Sequence, residues 1–301
     1  MTIMQSLRAH ALRPTLGAAL WLACAGAASA TDVDSDDYAA AALPPGSNLA
    51  LLYYQHAVRD RAYADGIAAS GGDLVSDIAI ARYARFVKLG PLVADPQFLL
   101  PFGGLHGTGS QKALGSASGV GDLILASTFW FQHDAKTGHF FGITPFITAP
   151  TGQYDHNAAL SVGEHRWKFE LQAGYITPVV TPRLKLMLAA GVTFFTRNND
   201  YGPARQSLAQ DPLGETQEWL TYDLTPKLQL RAGSFQYFGG AQSLDDIKLN
   251  ASHTATVNFK VGLSYAVAPG WNLLALYGRD TEVQNGFREA YRLNFRIYKA
   301  F

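Results

Sequence analysis

The stretch Arg288-Glu289-Ala290-Tyr291-Arg292-Leu293-Asn294-Phe295-Arg296-Ile297-Tyr298-Lys299-Ala300-Phe301 decides the fold. Taken at every second position from Tyr291, it reads Tyr291, Leu293, Phe295, Ile297, Lys299, Phe301. The other register reads Arg288, Ala290, Arg292, Asn294, Arg296, Tyr298, Ala300. A period of two is a strand whose two faces meet different surroundings. One face is apolar and aromatic, the other cationic and polar. In a soluble sandwich the apolar face packs on a second sheet; in a membrane barrel it meets lipid while the polar face lines the lumen. A terminal aromatic strand ending on Phe301 resembles the segment that bacterial outer-membrane barrels present to their barrel assembly machinery. Lys299 departs from that pattern, because an aromatic or apolar residue is usual there.

The other end of the chain points the same way. Arg8 and Arg13 precede the apolar run from Leu16 to Gly26, and Ala28-Ser29-Ala30 supplies a small-x-small cleavage site. This three-part layout predicts a secretory signal peptide over residues 1–30, cleaved after Ala30, and its run is short for a membrane helix. Cys24 is the only cysteine, so the mature chain is expected to have none. A barrel closes on its own hydrogen bonds and needs no disulfide. Loss of the leader leaves 22 basic residues against 24 acidic ones, a balance that argues against a nucleic-acid partner. No later window holds about twenty uninterrupted apolar residues, so a membrane reading must use strands.

Residues 31–45 are acidic, then rich in Ala and Pro, and read as a flexible periplasmic lead-in. The Asp32, Asp34, Asp36, Asp37 run lacks the Gly and the distant Glu of an EF-hand. Residues 46–301 then alternate apolar strands with turns of two kinds. Tight ones lie at Leu89-Gly90-Pro91, Asp134 to Gly138, Thr181-Pro182, Thr225-Pro226-Lys227 and Ala268-Pro269-Gly270. Long polar ones cover residues 59–73, 104–119, 151–165, 198–214, 240–253 and 282–287. Alternation of short and long connections is the asymmetry of an outer-membrane barrel, with short periplasmic turns and long extracellular loops. The count predicts an all-β transmembrane antiparallel barrel of about twelve strands, placed in the bacterial outer membrane.

Several segments carry the two-face pattern over the roughly 9–11 residues a tilted strand needs to cross a bilayer. Trp167, Phe169, Leu171, Ala173 and Tyr175 oppose Arg166, Lys168, Glu170, Gln172 and Gly174. Leu184 to Phe194 oppose Arg183 to Thr193, and Ala255 to Val267 oppose Thr256 to Ser264. Pro145 and Pro178 cannot donate to a ladder and are expected at bulges or strand ends. Segments 47–58 and 94–102 alternate poorly, leaving their registers open.

Gly115-Ser116-Ala117-Ser118-Gly119 has Ala at the centre where a nucleophile elbow needs Ser, and reads as a loop. His106 and His253 are followed by Gly-Thr and Thr, so the His-x-Ser pair of lipid-modifying barrels is missing. The histidines show neither HxxxH nor HExxH spacing, and no metal, cofactor or catalytic residue is expected. The polar faces instead place Arg166, Lys168, Arg183, Lys185, Lys227, Arg231, Lys260, Arg292 and Arg296 in the lumen, with Glu170, Glu218 and Asp223. Such cations focus a field that favours anionic or electron-rich solutes, or else pair with the acids and plug the barrel.

The middle of the chain resembles a bacterial family named for the meta-pathway of phenol degradation. The resemblance rests on Ser118-Gly119-Val120-Gly121-Asp122, Pro150 to Asp155, Arg166 to Phe169, Gly191 to Thr196 with Asn198 and Asp200, and Gln210 to Leu213. It implies an outer-membrane barrel that transports hydrophobic or aromatic compounds, and it brings no catalytic residue. Asp122, Arg166, Asp200 and Asp211 are then expected in a polar network holding the loops over the mouth. Phe140, Phe146 and Phe195 are expected on the lumen face, and Trp167 faces lipid. The expected partners are outer-membrane lipid and a small hydrophobic or aromatic solute. The alternatives are a structural or assembly barrel with a plugged lumen, and a lipid-modifying outer-membrane enzyme.

Overall fold

The computed structural model describes residues 34–68 and 72–301. Twelve antiparallel strands close into one barrel. They are β1 Asn48–Ala64, β2 Leu74–Arg85, β3 Gln97–Gly107, β4 in three pieces, β5 His139–Ala149 and β6 Lys168–Val179. The other half comprises β7 Thr181–Phe195, β8 Leu213–Asp223, β9 Leu228–Gly239, β10 Thr254–Ala268, β11 Trp271–Val283 and β12 Gly286–Ala300. The pieces of β4 are Ser116–Val120, Leu123–Ala126 and Phe129–Asp134. The seam closes where β1 meets β12, from Leu49 opposite Ala300 to Tyr63 opposite Gly286. Closure leaves no unpaired edge, which is the condition for strands to stand in lipid.

The start of β1 and the end of β12 lie at one rim, where Asn48 and Phe301 exchange backbone hydrogen bonds of 2.7 and 3.0 Å. The opposite rim carries the long connections. Two of these, residues 196–212 and 240–253, build a separate four-stranded sheet from Asn198–Tyr201, Gln206–Gln210, Gln242–Leu244 and Ile247–Lys248. The expected long connection at 282–287 is instead a two-residue turn, Gln284-Asn285, between β11 and β12.

The two prolines mark irregularities. Pro145 stands beside the gap between the second and third pieces of β4, where Ser127 donates to its carbonyl at 3.4 Å. Pro178 adjoins a register shift between β6 and β7. In each case the missing N–H falls where the ladder is already broken.

The lower lumen is not a water-filled bore. Leu49, Leu51, Phe86, Trp130, Phe140, Ile176, Met187, Trp219, Phe235, Leu274 and Leu276 form one buried apolar cluster inside the wall. Tyr38, which precedes the first strand, stands among them and is 1% exposed. The outer face is the mirror image, with Leu52, Phe98, Leu125, Phe169, Leu188, Leu263 and Phe295 exposed as a lipid-facing belt.

Candidate functional site: a plugged lumen beneath a polar cavity

The segment expected to be a flexible lead-in is, in its described part, folded into the barrel. Arg296 of β12 holds Asp34 at 2.6 Å and Asp36 at 2.9 Å. Arg231 of β9 reaches the same Asp36 at 2.9 Å, and Arg82 of β2 binds Asp37 at 2.9 Å. Burial opposes ionisation of Asp36, yet the guanidiniums of Arg231 and Arg296 outweigh it and hold the carboxyl well below its usual range. Asp34 is shifted the other way, raised first by burial and only partly relieved by Arg296.

Tyr38 is the apolar anchor of this plug. Its hydroxyl donates to Gln172 Oε1 at 3.0 Å and lies 3.2 Å from Thr144 Oγ1. Its carbonyl accepts the Trp130 indole N–H at 2.9 Å. Gly174 of β6 and Gly142 of β5 make room for the ring: a Cβ at Gly174 would lie 2.2 Å from Tyr38 Cδ2 and Cε2, and one at Gly142 would lie 3.2 Å from Cδ1. A short 3-10 turn, Ala40–Ala42, then leads to β1.

Above the plug is a cavity of about 220 Å³, roofed by Glu164, Gln210, Ser252 and His253 of the long connections and by Asn285 of the short turn between β11 and β12. Its wall carries Arg59, Arg166, Lys168, Lys260 and Arg292 against Glu164, Glu170, Asp280 and Glu289. The charges are largely paired. Glu164 takes Arg166 at 2.7 Å and Lys168 at 2.8 Å, while Glu289 takes Arg59 at 2.6 Å and also Arg292. Burial disfavours the Glu164 carboxylate, but Lys168 and Arg166 overcome it and bring its pKa down to about 2. Two cations lie on ring faces: Arg166 Cζ is 4.5 Å from the Phe195 centroid and Lys260 Nζ is 4.0 Å from that of Phe235.

Two of the motifs that carry the family resemblance, Ser118 to Asp122 and Pro150 to Asp155, meet here. Asp122, at the first break in β4, accepts the backbone N–H of Gly152 and of Glu164, each at 2.8 Å. Gln153 donates its N–H to the Val120 carbonyl at 2.9 Å. Asp122 thereby fastens the 150–167 connection to the wall. Asp200 joins the loop network, lying 3.3 Å from Arg205 and 3.7 Å from His156 and accepting the Tyr154 hydroxyl on its carbonyl. Asp211 is exposed, and its backbone N–H donates to the Ala241 carbonyl at 2.8 Å.

The other expected lumen residues divide. Arg166, Lys168, Glu170, Phe195, Lys260 and Arg292 come together around the cavity, and Arg296 holds the plug. Phe140 and Phe146 are buried inside the wall. Lys185 pairs with Asp223 at 2.9 Å near the terminal rim. Arg183 and Lys227 are exposed at the tight turns and line nothing. Glu218 faces outward: β8 buries Glu215, Gln217 and Trp219, leaving Glu218 on the lipid side, hydrogen-bonded by Gln236 at 3.2 Å. A bulge at Ala290 in β12 likewise turns Glu289 inward and Arg288 outward, where it pairs with Asp60. The Asp34, Asp36, Asp37 and Tyr38 contacts escaped the sequence reading. The one signal was a surplus of lumen-facing Arg over acid on the strands. Among the described residues no group of three or more His, Cys, Asp or Glu is placed to hold a metal.

A closed twelve-stranded wall with an apolar exterior, a plugged lower lumen and a polar upper cavity defines an outer-membrane β-barrel. Residues 57–297 match the family described as "Putative MetA-pathway of phenol degradation", and the chain belongs to that family. It is similar to the COG4313 outer membrane channel from Pseudomonas putida F1, with 34% identity over 90% of this chain and 100% of that one, and a TM-score of 0.85. The β domain of the Bordetella autotransporter BrkA, 11% identical over 86% of this chain and 100% of that one, has a TM-score of 0.50 and shares the fold alone. A search of curated proteins found no match.

Proposed function

We propose that this barrel is a passive outer-membrane channel for small hydrophobic or aromatic compounds. The observation that carries the reading is a cavity held between a loop roof and a plug attached by one aromatic anchor and a few ion pairs. Its volume of about 220 Å³ exceeds the roughly 150 Å³ that suffices for a benzene ring in an apolar protein cavity. Phe195, Tyr237 and Phe287 give it ring faces, and its cations suit the electron-rich face of an aromatic solute. The family description and the channel from Pseudomonas putida support the same direction. Passage requires the plug to leave the lower lumen and uses no covalent chemistry. The leader is cleaved after Ala30, a position outside the described residues, and the strand ending at Phe301 is what the assembly machinery engages.

Uptake at limiting phenol or toluene, in a host with and without the protein, tests the reading. Loss on deletion, restored by the wild type, is expected. The filled lower lumen favours one second reading, a barrel that stays plugged and serves a structural role. Unchanged uptake across a panel of aromatics and fatty acids would select it.

A further inference from the structure

The side chain of Tyr38 is itself a phenol, and the wall that receives it is shaped around that group. The slot is cut by two glycines on neighbouring strands, whose Cβ atoms would strike the ring at 2.2 and 3.2 Å. The hydroxyl is read by Gln172 Oε1 at 3.0 Å and by Thr144 Oγ1 at 3.2 Å. Burial raises the phenol's pKa, so it stays a neutral O–H donor.

The direction of the slot matters most. On β6 the lumen positions run Glu170, Gln172, Gly174, and on β5 they run Thr148, Phe146, Thr144, Gly142. Glu170 and Thr148 line the cavity, whereas the ring of Tyr38 lies against Gly174 and Gly142. Gln172 is therefore one two-residue step, about 7 Å, below the cavity lining. Tyr38 comes from the terminal rim with its hydroxyl pointing toward the cavity. Gln172 and Thr144, which hold the Tyr38 hydroxyl, are therefore the cavity-side groups of the slot, one step below Glu170 and Phe146.

We infer that the slot formed by Gly142, Gly174, Gln172 and Thr144 is a binding site for the phenol class of solute, and that Tyr38 occupies it as a competitor carried on the chain. This rests on the channel reading above and narrows it. A phenol offers the same ring and the same O–H donor, so each solute bound displaces one Tyr38. Release of Tyr38 also removes the Trp130 bond to its carbonyl, loosening the plug. Toluene offers the ring without the donor, and leaves Gln172 Oε1 without the hydrogen bond that it now accepts.

The test uses the full wild-type chain, folded and in lipid vesicles, with millimolar phenol, p-cresol or toluene. Amide hydrogen exchange over residues 34–43 reports the plug, and bilayer conductance reports flux. Phenol and p-cresol are expected to speed exchange in that segment at least tenfold over toluene at equal concentration. Gln172→Leu is expected to abolish this preference, whatever it does to basal exchange. Arg183→Gln, exposed at a tight turn away from the slot and the cavity, serves as the control that keeps the preference. No response to phenol, an equal response to toluene, or a preference that survives Gln172→Leu would overturn the assignment. A phenol-dependent exchange response without conductance would keep the slot and sink the channel. Conductance with no phenol preference would do the reverse.

Discussion

Gly174→Ala is the sharpest perturbation of the plug, because it adds one methyl group and removes nothing. The new Cβ would stand 2.2 Å from two ring carbons of Tyr38 and 2.5 Å from Cζ. Ordinary carbon contacts are about 3.5–4.0 Å, so the ring must retreat by more than an ångström. Gly142 is paired directly with Gly174 on the same wall and the ring is fully buried, so retreat means lifting off the slot. Removing the ring outright, as in Tyr38→Ala, costs about 3–5 kcal/mol by analogy with buried aromatic truncations. At about 1.4 kcal/mol per tenfold change, the undocked state of the plug gains two to three and a half orders of magnitude. Single-channel conductance in planar bilayers should therefore rise for both variants, with the barrel's heat-modifiable gel mobility unchanged. Their combination is the stringent part. In Tyr38→Ala the added methyl meets empty space, so Gly174→Ala should add almost nothing to it. Wild-type conductance in either single variant refutes the plug. Full additivity places the effect of Gly174→Ala elsewhere in the wall.

Arg292 and Arg296, alike in sequence, should behave differently. Arg296→Glu sets a third carboxylate beside Asp34 and Asp36 and should raise conductance by expelling the plug, whereas Arg292→Glu should mainly shift the reversal potential in a salt gradient toward cations. An unchanged reversal potential for Arg292→Glu would remove the cavity from the ion path. Asp95, in the turn region between β2 and β3, accepts Thr128 N–H at 2.6 Å, and burial lifts its pKa from 3.8 to about 7 against the pull of Arg82. The folded state holds this proton more tightly than the unfolded one. Its contribution is therefore present below pH ~4 and is lost as pH rises to about 7, by at most about 4 kcal/mol. Asp95→Asn should flatten the fall in unfolding temperature between pH 5 and pH 8, and an identical slope in both proteins would count against it. Asp122→Ala frees the N–H groups of Gly152 and Glu164, each bond to a charged acceptor contributing about 1.5–3 kcal/mol. Limited proteolysis should then cut the 150–167 connection faster, and an unchanged rate would show that other contacts hold it.

What was legible in the sequence is what lipid imposes. Facing hydrocarbon, β6, β7 and β10 must be apolar at every second position, and there the period-two reading assigned both faces as the structure has them. It failed where the inside is apolar too. Trp219 fills the lower lumen while Leu220 meets lipid, so hydrophobicity cannot separate the faces of β8; the pattern puts Glu218 inside, whereas Glu215 and Gln217 belong there. The first strand alternates poorly for the same reason: Leu49 and Leu51 pack around the plug while Leu52 and Tyr54 face out. The acidic lead-in looked solvated because its partners are remote. Arg231 lies 195 positions from Asp36, and Arg296 lies 262 from Asp34. Local sequence carries the charge of Asp36 but not the distant guanidiniums that make burying it tolerable.

The buried ion pairs bear on why the lumen is built this way. Replacing buried ion pairs by apolar side chains is often neutral or stabilising, so stability alone does not require Asp34, Asp36, Arg231 and Arg296. An all-apolar plug would bury its segment by an undirected force and leave nothing for a solute to compete with. Here the binding is split between two chemistries: carboxylate pairs at the terminal rim and one phenol ring near the cavity. Breaking the ring contact leaves Asp34, Asp36 and Asp37 as charges that water solvates well, so the opposing cost of departure is the apolar cluster that Tyr38 uncovers. A plug held in this divided way can be strong in sum and still have one contact that a single-ring solute is able to replace.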